Sequence, residues 1–264
     1  MRFSKFCVIV SLSPVLVTPV AFAEVHFDVS PQLANGRIVT HGVTHASTIH
    51  PWTGVDTTPA AHNYDQPDMR VFGYELGEDP LFPTEANDPG INNETGSYLL
   101  ESGDTVSLSG TGLPLGSVLS FTIQSDLRYW TGAGFEAVPD LESLTITFGS
   151  TRTIGTGTGV LSPLPVKTFI NDSTVHLHLA AELLGNGGAM SDPTTGIYMF
   201  EARLDSSGAG VDSSLPFWIV YNFGDTEINH QAAIDWANSN LAVPEPATPA
   251  LWMIGAAGLM RRRK

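Results

Sequence analysis

The sequence predicts an all-β body, an antiparallel β-sandwich of jelly-roll type, carrying one short C-terminal helix and flanked by an apolar segment at each end. Three observations predict it. Apolar and polar residues alternate with period two in four separate stretches, the pattern of half-buried strands. Glycine, proline, asparagine and aspartate interrupt the chain at short intervals, with 26 Gly and 18 Pro in 264 residues. Lysine is scarce while Ser and Thr abound, as in secreted β proteins rich in turns.

Residues 1–23 come first. Arg2 and Lys5 give a positive start, residues 6–17 are mostly apolar and uncharged, and Ala21-Phe22-Ala23 is a small-x-small pattern. These parts predict a secretory signal that signal peptidase removes before Glu24, at Ala21, Ala23 and Glu24. Pro14 and Pro19 oppose a long helix here. Cys7, the single cysteine, lies inside this segment. The processed chain would then hold none, which excludes disulfides, thiol catalysis and cysteine-ligated metals.

The body spans residues 24–242. Strands are expected at 25–29, 37–43, 69–76 and 104–109. In 117–124, Leu119, Phe121 and Ile123 alternate with Ser120, Thr122 and Gln124. In 142–148, Leu144, Ile146 and Phe148 do the same, and in 174–180 Val175, Leu177 and Leu179 alternate with Thr174, His176 and His178. In 196–204, Tyr198, Phe200, Ala202 and Leu204 face one way, Glu201 and Arg203 the other. Residues 215–223, LPFWIVYNF, are apolar on both faces and read as a central strand. About nine strands with one wet face pack as a sandwich. A helix is expected over 225–238, capped by Asp225, with Ile228, Ala232 and Trp236 on its apolar stripe. Two long loops, 45–68 and 77–96, complete the body. No internal repeat or domain boundary is visible.

Charge narrows the partners. All 27 acids except Glu245 lie in the body, against six basic residues, so its net charge is about −20. Such a field repels nucleic acid and anionic lipid and attracts divalent cations.

Candidate chemistry is sparse. His176 and His178 stand two apart on a strand and so share its polar face. Two adjacent imidazoles suit zinc or copper, given further ligands. His230, Glu182 and the loop histidines His41, His45, His50 and His62 are the candidates to supply them. The alternative is two surface histidines on a wet sheet. Glu78, Asp79, Glu85, Asp88 and Glu94, with Asn92 and Asn93, offer oxygen ligands for calcium without an EF-hand spacing. Against that stand ordinary solvated loop acids. Tyr129, Trp130 and Trp52 are candidate platforms for stacking on sugar rings, or else core filling at strand ends. No nucleophile elbow, zincin helix or phosphate loop occurs. Gly155-Thr-Gly-Thr-Gly159 reads as a turn. No catalytic residue is assigned.

Residues 243–264, VPEPATPALWMIGAAGLMRRRK, close the sequence. The stretch 247–260 is apolar apart from Thr248 and predicts a short transmembrane helix of about 21 Å at 1.5 Å per residue. Arg261, Arg262, Arg263 and Lys264 supply a cytoplasmic stop. Pro244 and Pro246 keep the chain around Glu245 extended, as an enzyme that cuts it requires. The Pro-Glu-Pro tripeptide, apolar span and basic end together resemble the PEP-CTERM protein-sorting signal of Gram-negative bacteria. That resemblance implies recognition at Pro244, Glu245 and Pro246 by an exosortase, an integral-membrane sorting enzyme. It also implies an envelope rich in exopolysaccharide. Pro249 and Trp252 depart from the usual Leu, Gly and Ala of such tails. The body, through LRYWTGAGF (127–135), VHLHL (175–179) and PFWIVYNFGDTEINHQAAIDW (216–236), is similar to uncharacterised proteins bearing the same signal.

The expectation is an exported protein, tethered in the inner membrane and then delivered to the envelope or beyond. Its body is read as non-enzymatic, binding polysaccharide or cations. The alternatives are a zinc or copper protein built on the histidines and, more weakly, a carboxylate hydrolase.

Overall fold

Alternation becomes register where two long strands pair. Gly196–Ser206 and Phe217–Phe223 pair antiparallel, with Tyr198 opposite Tyr221 and Phe200 opposite Ile219. The computed structural model describes residues 27–43, 65–66, 68–93, 96–99, 105–108, 112–186 and 191–242. The expected signal segment with Ala21, Ala23 and Glu24, the loop residues His45, His50, Trp52 and His62, Glu94, and the C-terminal signal 243–264 lie outside the described residues.

The described chain runs in order through β1 (Asp28–Ala34), β2 (Arg37–Val43), β3 (Asp65–Gln66), β4 (Val71–Glu75), β5 (Glu85–Ala86) and β6 (Gly90–Asn92). There follow β7 (Gly96–Leu99), β8 (Thr105–Leu108), β9 (Val118–Ile123), β10 (Arg128–Trp130), β11 (Phe135–Ala137) and β12 (Ser143–Phe148). The rest is β13 (Ser150–Ile154), β14 (Leu164–Thr168), β15 (His176–His178), β16 (Ala180–Leu184), β17 (Gly196–Ser206), β18 (Phe217–Phe223) and α1 (Glu227–Asn240). The described residues are thus mostly β-sheet with one short helix. Among the described residues no helix is long and apolar enough to cross a membrane.

Three main sheets form among the described residues. One has the order β15-β6-β1-β2-β3 and another β13-β12-β16-β5. The largest runs β11-β10-β17-β18-β4, with β9 joining β17 and β14 joining β9. β17 serves two partners on one edge: its start pairs with β10 and its end with β9. β1 and β2 form a hairpin closed by Asn35 and Gly36, both at positive φ (52° and 79°). Asn-Gly tolerates that conformation, and it matches the twist of the strands.

One core joins the sheets. Val29, Ile38 and Ile91 meet Phe72, Phe121, Phe200 and Phe217, and also Leu144, Ile146 and Leu183, all essentially inaccessible. Each fully buried Leu, Ile or Phe is worth about 1.5–3 kcal/mol relative to exposure. The reading of β18 as central holds: it lies between β17 and β4, and both its faces are buried.

Two expectations are corrected. The sheets are mixed, not purely antiparallel: β1 runs parallel to β6, and β4 parallel to β18. A parallel pair needs a long crossover, and most of the body lies between β4 and β18 in sequence. The helix starts later and turns differently. Thr226, not Asp225, is the N-cap, its hydroxyl accepting from Asn229 N at 3.3 Å. Asp225 instead accepts from Thr226 N at 2.6 Å and from the Asn229 side chain. Ile228 is 82% exposed, and the buried stripe is His230, Ala233 and Ala237. The reason lies in the surface that receives the helix. A Cβ at Gly73 would stand 2.6 Å from Ile234 Cδ1, so β4 offers a hollow there. The two alanines let α1 close on Trp130, Trp218 and Val220.

Candidate metal centre

The histidine pair is positioned by sheet register. β15 pairs with β6, placing His178 opposite Gly90, Leu177 opposite Ile91 and His176 opposite Asn92. On the other side of β6, Val29 of β1 stands beside Ile91. Leu177, Ile91 and Val29 therefore form a row that faces the core. The residues one step away, His178, Gly90 and Asp28, form the neighbouring row on the opposite face.

Asp28 crosses that row. A Cβ built on Gly90 would overlap the Asp28 carboxylate, which lies over the glycine and reaches toward β15. Asp28, His176 and His178 bring one ligand atom each within 4.8 Å of one another. The His176 and His178 ring centroids are 5.7 Å apart at 50°. Burial is graded: Asp28 is 6% exposed, His178 half-buried and His176 exposed. The site thus has a buried anionic floor and an open imidazole rim.

Second contacts orient these groups. His178 Nδ1 lies 2.9 Å from the Asn87 carbonyl and 3.6 Å from Asp88 Oδ1. Donation from Nδ1 leaves the Nε2 lone pair for a ligand, the arrangement that outer hydrogen bonds impose on metal-binding histidines. The Asp88 carboxylate beside Nδ1 raises the His178 pKa above its ordinary 6.5, outweighing the opposite effect of burial. Asn92 Nδ2 donates to Asp28 Oδ2 at 3.4 Å. Two buried tyrosines of the largest sheet hold the backbone beneath. Tyr74 donates to the Phe27 carbonyl at 2.8 Å and Tyr221 to the Asp88 carbonyl at 2.6 Å. Burial, then the nearby Asp88 and Asp28 carboxylates, drive the Tyr74 pKa well above 10.

Two imidazoles and one carboxylate fit zinc or copper, with a coordination position left for water or an outside ligand. Sequence reasoning found the pair and missed Asp28. The available signal was Gly90: a glycine inside a strand marks a close approach of another group.

The other candidates fall elsewhere. His41 shares the face but stands opposite Ser30, three strand spacings from His176, or about 14 Å. Glu182 lies in the four-stranded sheet opposite Glu85. His230 is fully buried under α1, with Nδ1 3.1 Å from Glu75 Oε1, on the far face of the largest sheet. Candidate oxygen ligands of 77–96 disperse. Asp79 accepts from Leu81 N, Glu85 sits in β5, Asp88 turns to His178 and Asn93 accepts from Val175 N.

Of the two readings of Trp130, its packing matches core filling. It is 8% exposed and packs in a cluster with Phe135 (5.2 Å between centroids) and Trp236 (6.0 Å). The helix that Trp130 supports covers its face. Tyr129 lies edge-on to Tyr198 at 5.4 Å and donates to the Thr195 carbonyl. The Gly155–Gly159 turn holds: Gly157 N and Gly159 N donate to the two oxygens of Asp126 at 2.9 and 2.6 Å.

The family model for the PEP-CTERM protein-sorting motif matches residues 242–264. The chain carries a PEP-CTERM sorting signal. Such a signal marks an exported protein with exosortase as its processing partner. No curated protein and no solved structure matches the chain.

Proposed function

We propose that the PEP-CTERM signal delivers a non-enzymatic, metal-binding body to the cell envelope or beyond it. In this reading signal peptidase cuts after Ala23, and residues 247–260 hold the chain in the inner membrane. Exosortase then cuts near Pro244, Glu245 and Pro246. The released body, its two larger sheets packed as a sandwich, works amid exopolysaccharide and captures a divalent transition metal. The observation that carries the metal reading is the Asp28 carboxylate lying over Gly90, within 4.8 Å of the His176 and His178 ligand atoms. The strongly anionic body adds a field that concentrates cations.

The test is calorimetric titration of chelator-stripped, untagged protein with zinc and with copper(II). Micromolar or tighter binding, weakened about tenfold or more by His178→Ala and by Asp28→Asn, supports the reading. Equal affinity in wild type and both variants sinks it.

A further inference from the structure

A second cluster of ligating groups lies on the other flank of the molecule, where α1 docks. His230 is fully buried in the first turns of the helix. Its Nε2 lies 3.2 Å from the Val220 carbonyl of β18. A carbonyl only accepts, so Nε2 carries the hydrogen and the ring turns Nδ1 the other way. Nδ1 points at two carboxylates: Glu75 Oε1 of β4 at 3.1 Å and Glu227 Oε2 of the same helix at 3.9 Å. With Nε2 protonated, a neutral ring would present a lone pair to two anions. A positive species between them removes that repulsion, either a proton on Nδ1 or a metal ion.

The dimensions suit the ion. Zinc bonds of 2.0–2.2 Å at tetrahedral angles set ligand atoms about 3.4 Å apart, and the two distances above bracket that value. All three ligand atoms lie within 4.8 Å of one another. The imidazole is oriented by a backbone carbonyl on its outer nitrogen, as metal-bound histidines usually are. Glu75 is held in turn by Asn222 Nδ2 at 3.0 Å. Glu227 is 53% exposed, so the cluster has a wet side through which an ion enters.

We propose that Glu75, Glu227 and His230 form a second divalent transition-metal site, independent of the Asp28 centre, that staples α1 to the largest sheet. The Asp28 centre has an exposed histidine and suits exchange. This one has a buried histidine and bridges two elements, so its ion is structural.

The test uses the full chain in detergent, untagged and stripped with chelator, in a His176→Ala/His178→Ala background that removes the first site. Zinc uptake is counted by elemental analysis after gel filtration, and thermal melting is followed with and without zinc. The expected result is an equivalent of zinc retained in that background and a melting temperature raised by zinc. Adding Glu227→Gln, a change at a half-exposed position, should remove that equivalent and the zinc-induced rise. Two results overturn the proposal: no zinc retained in the double-histidine background, which leaves Nδ1 holding a proton, or zinc retention unaffected by Glu227→Gln. Neither bears on the Asp28 centre, which is read from the difference between wild type and the double-histidine variant.

Discussion

The Asp28 carboxylate occupies the space that a side chain on Gly90 would fill. Glycine at 90 is thus part of the candidate metal centre without being a ligand. Gly90→Ala should push the carboxylate off the row and weaken zinc binding about tenfold or more, as loss of orienting groups does. Crowding also costs about 1–3 kcal/mol of stability. Titration of the variant beside Asp28→Asn checks this, and the two should lose similar affinity. An alanine variant that binds like wild type would separate Asp28 from the site.

At the proposed centre, proton and metal would compete for His178. The neighbouring Asp88 carboxylate raises the folded pKa above 6.5, so the charged ring persists to higher pH than usual. Metal needs the neutral ring. Zinc affinity should therefore be full above the raised pKa and fall by about tenfold per pH unit below it for this one proton. Asp88→Asn removes the cause and shifts the onset of that fall to lower pH. Titrations between pH 5 and 8 on both proteins read the shift directly.

Tyr74 and Tyr221 support the centre from the sheet behind it. Each hydroxyl satisfies a backbone carbonyl, of Phe27 and Asp88, adjoining or belonging to a residue of the site. Tyr→Phe at either position removes the donor and leaves a poorly satisfied carbonyl. The expected cost is about 1 kcal/mol each, or roughly 2–4 °C in melting temperature for a body of this size. Because Tyr221 fixes Asp88 and Tyr74 fixes the start of β1, both variants should also bind zinc more weakly. An unrelated core change of equal cost, such as Ile154→Val, should not.

Much of this was legible in the residues, and the misses share a cause. Local alternation located β9, β12 and β17, because period-two patterning reflects the faces of one strand. The doubly apolar run of β18 foretold a strand covered on both sides. The histidine pair needed only the rule that residues two apart share a face. Asp28 was hidden because it reaches the pair through two strand pairings, one of them parallel, that no local pattern encodes. The stripe on α1 was misread for a related reason. Apolar Ile228 looked like core, but the hollow at Gly73 and the Val220 carbonyl select His230 and its neighbours instead. Trp130 could be read as platform or core because the helix that covers it comes about a hundred residues later.

The Gly155–Gly159 turn wraps a carboxylate, and this sets an acid limit on that corner of the body. Gly159 N and Gly157 N both donate to Asp126, and these bonds, in that order of weight, hold its pKa below the ordinary 3.8. The sign follows from linkage. A carboxylate with a depressed folded pKa contributes its full stability above the unfolded value and loses it as pH falls through the folded one. Asp126→Asn should cost about 1 kcal/mol at neutral pH, since hydrogen bonds to a charge become bonds to an amide. The gap between wild type and variant should then close as pH drops below 3.8. Urea denaturation at pH 7 and pH 3 measures the narrowing of that gap. A gap that persisted undiminished at pH 3 would mean that the turn is held by its backbone geometry, through Gly155 N and Thr158 Oγ1, and not by the charge on Asp126.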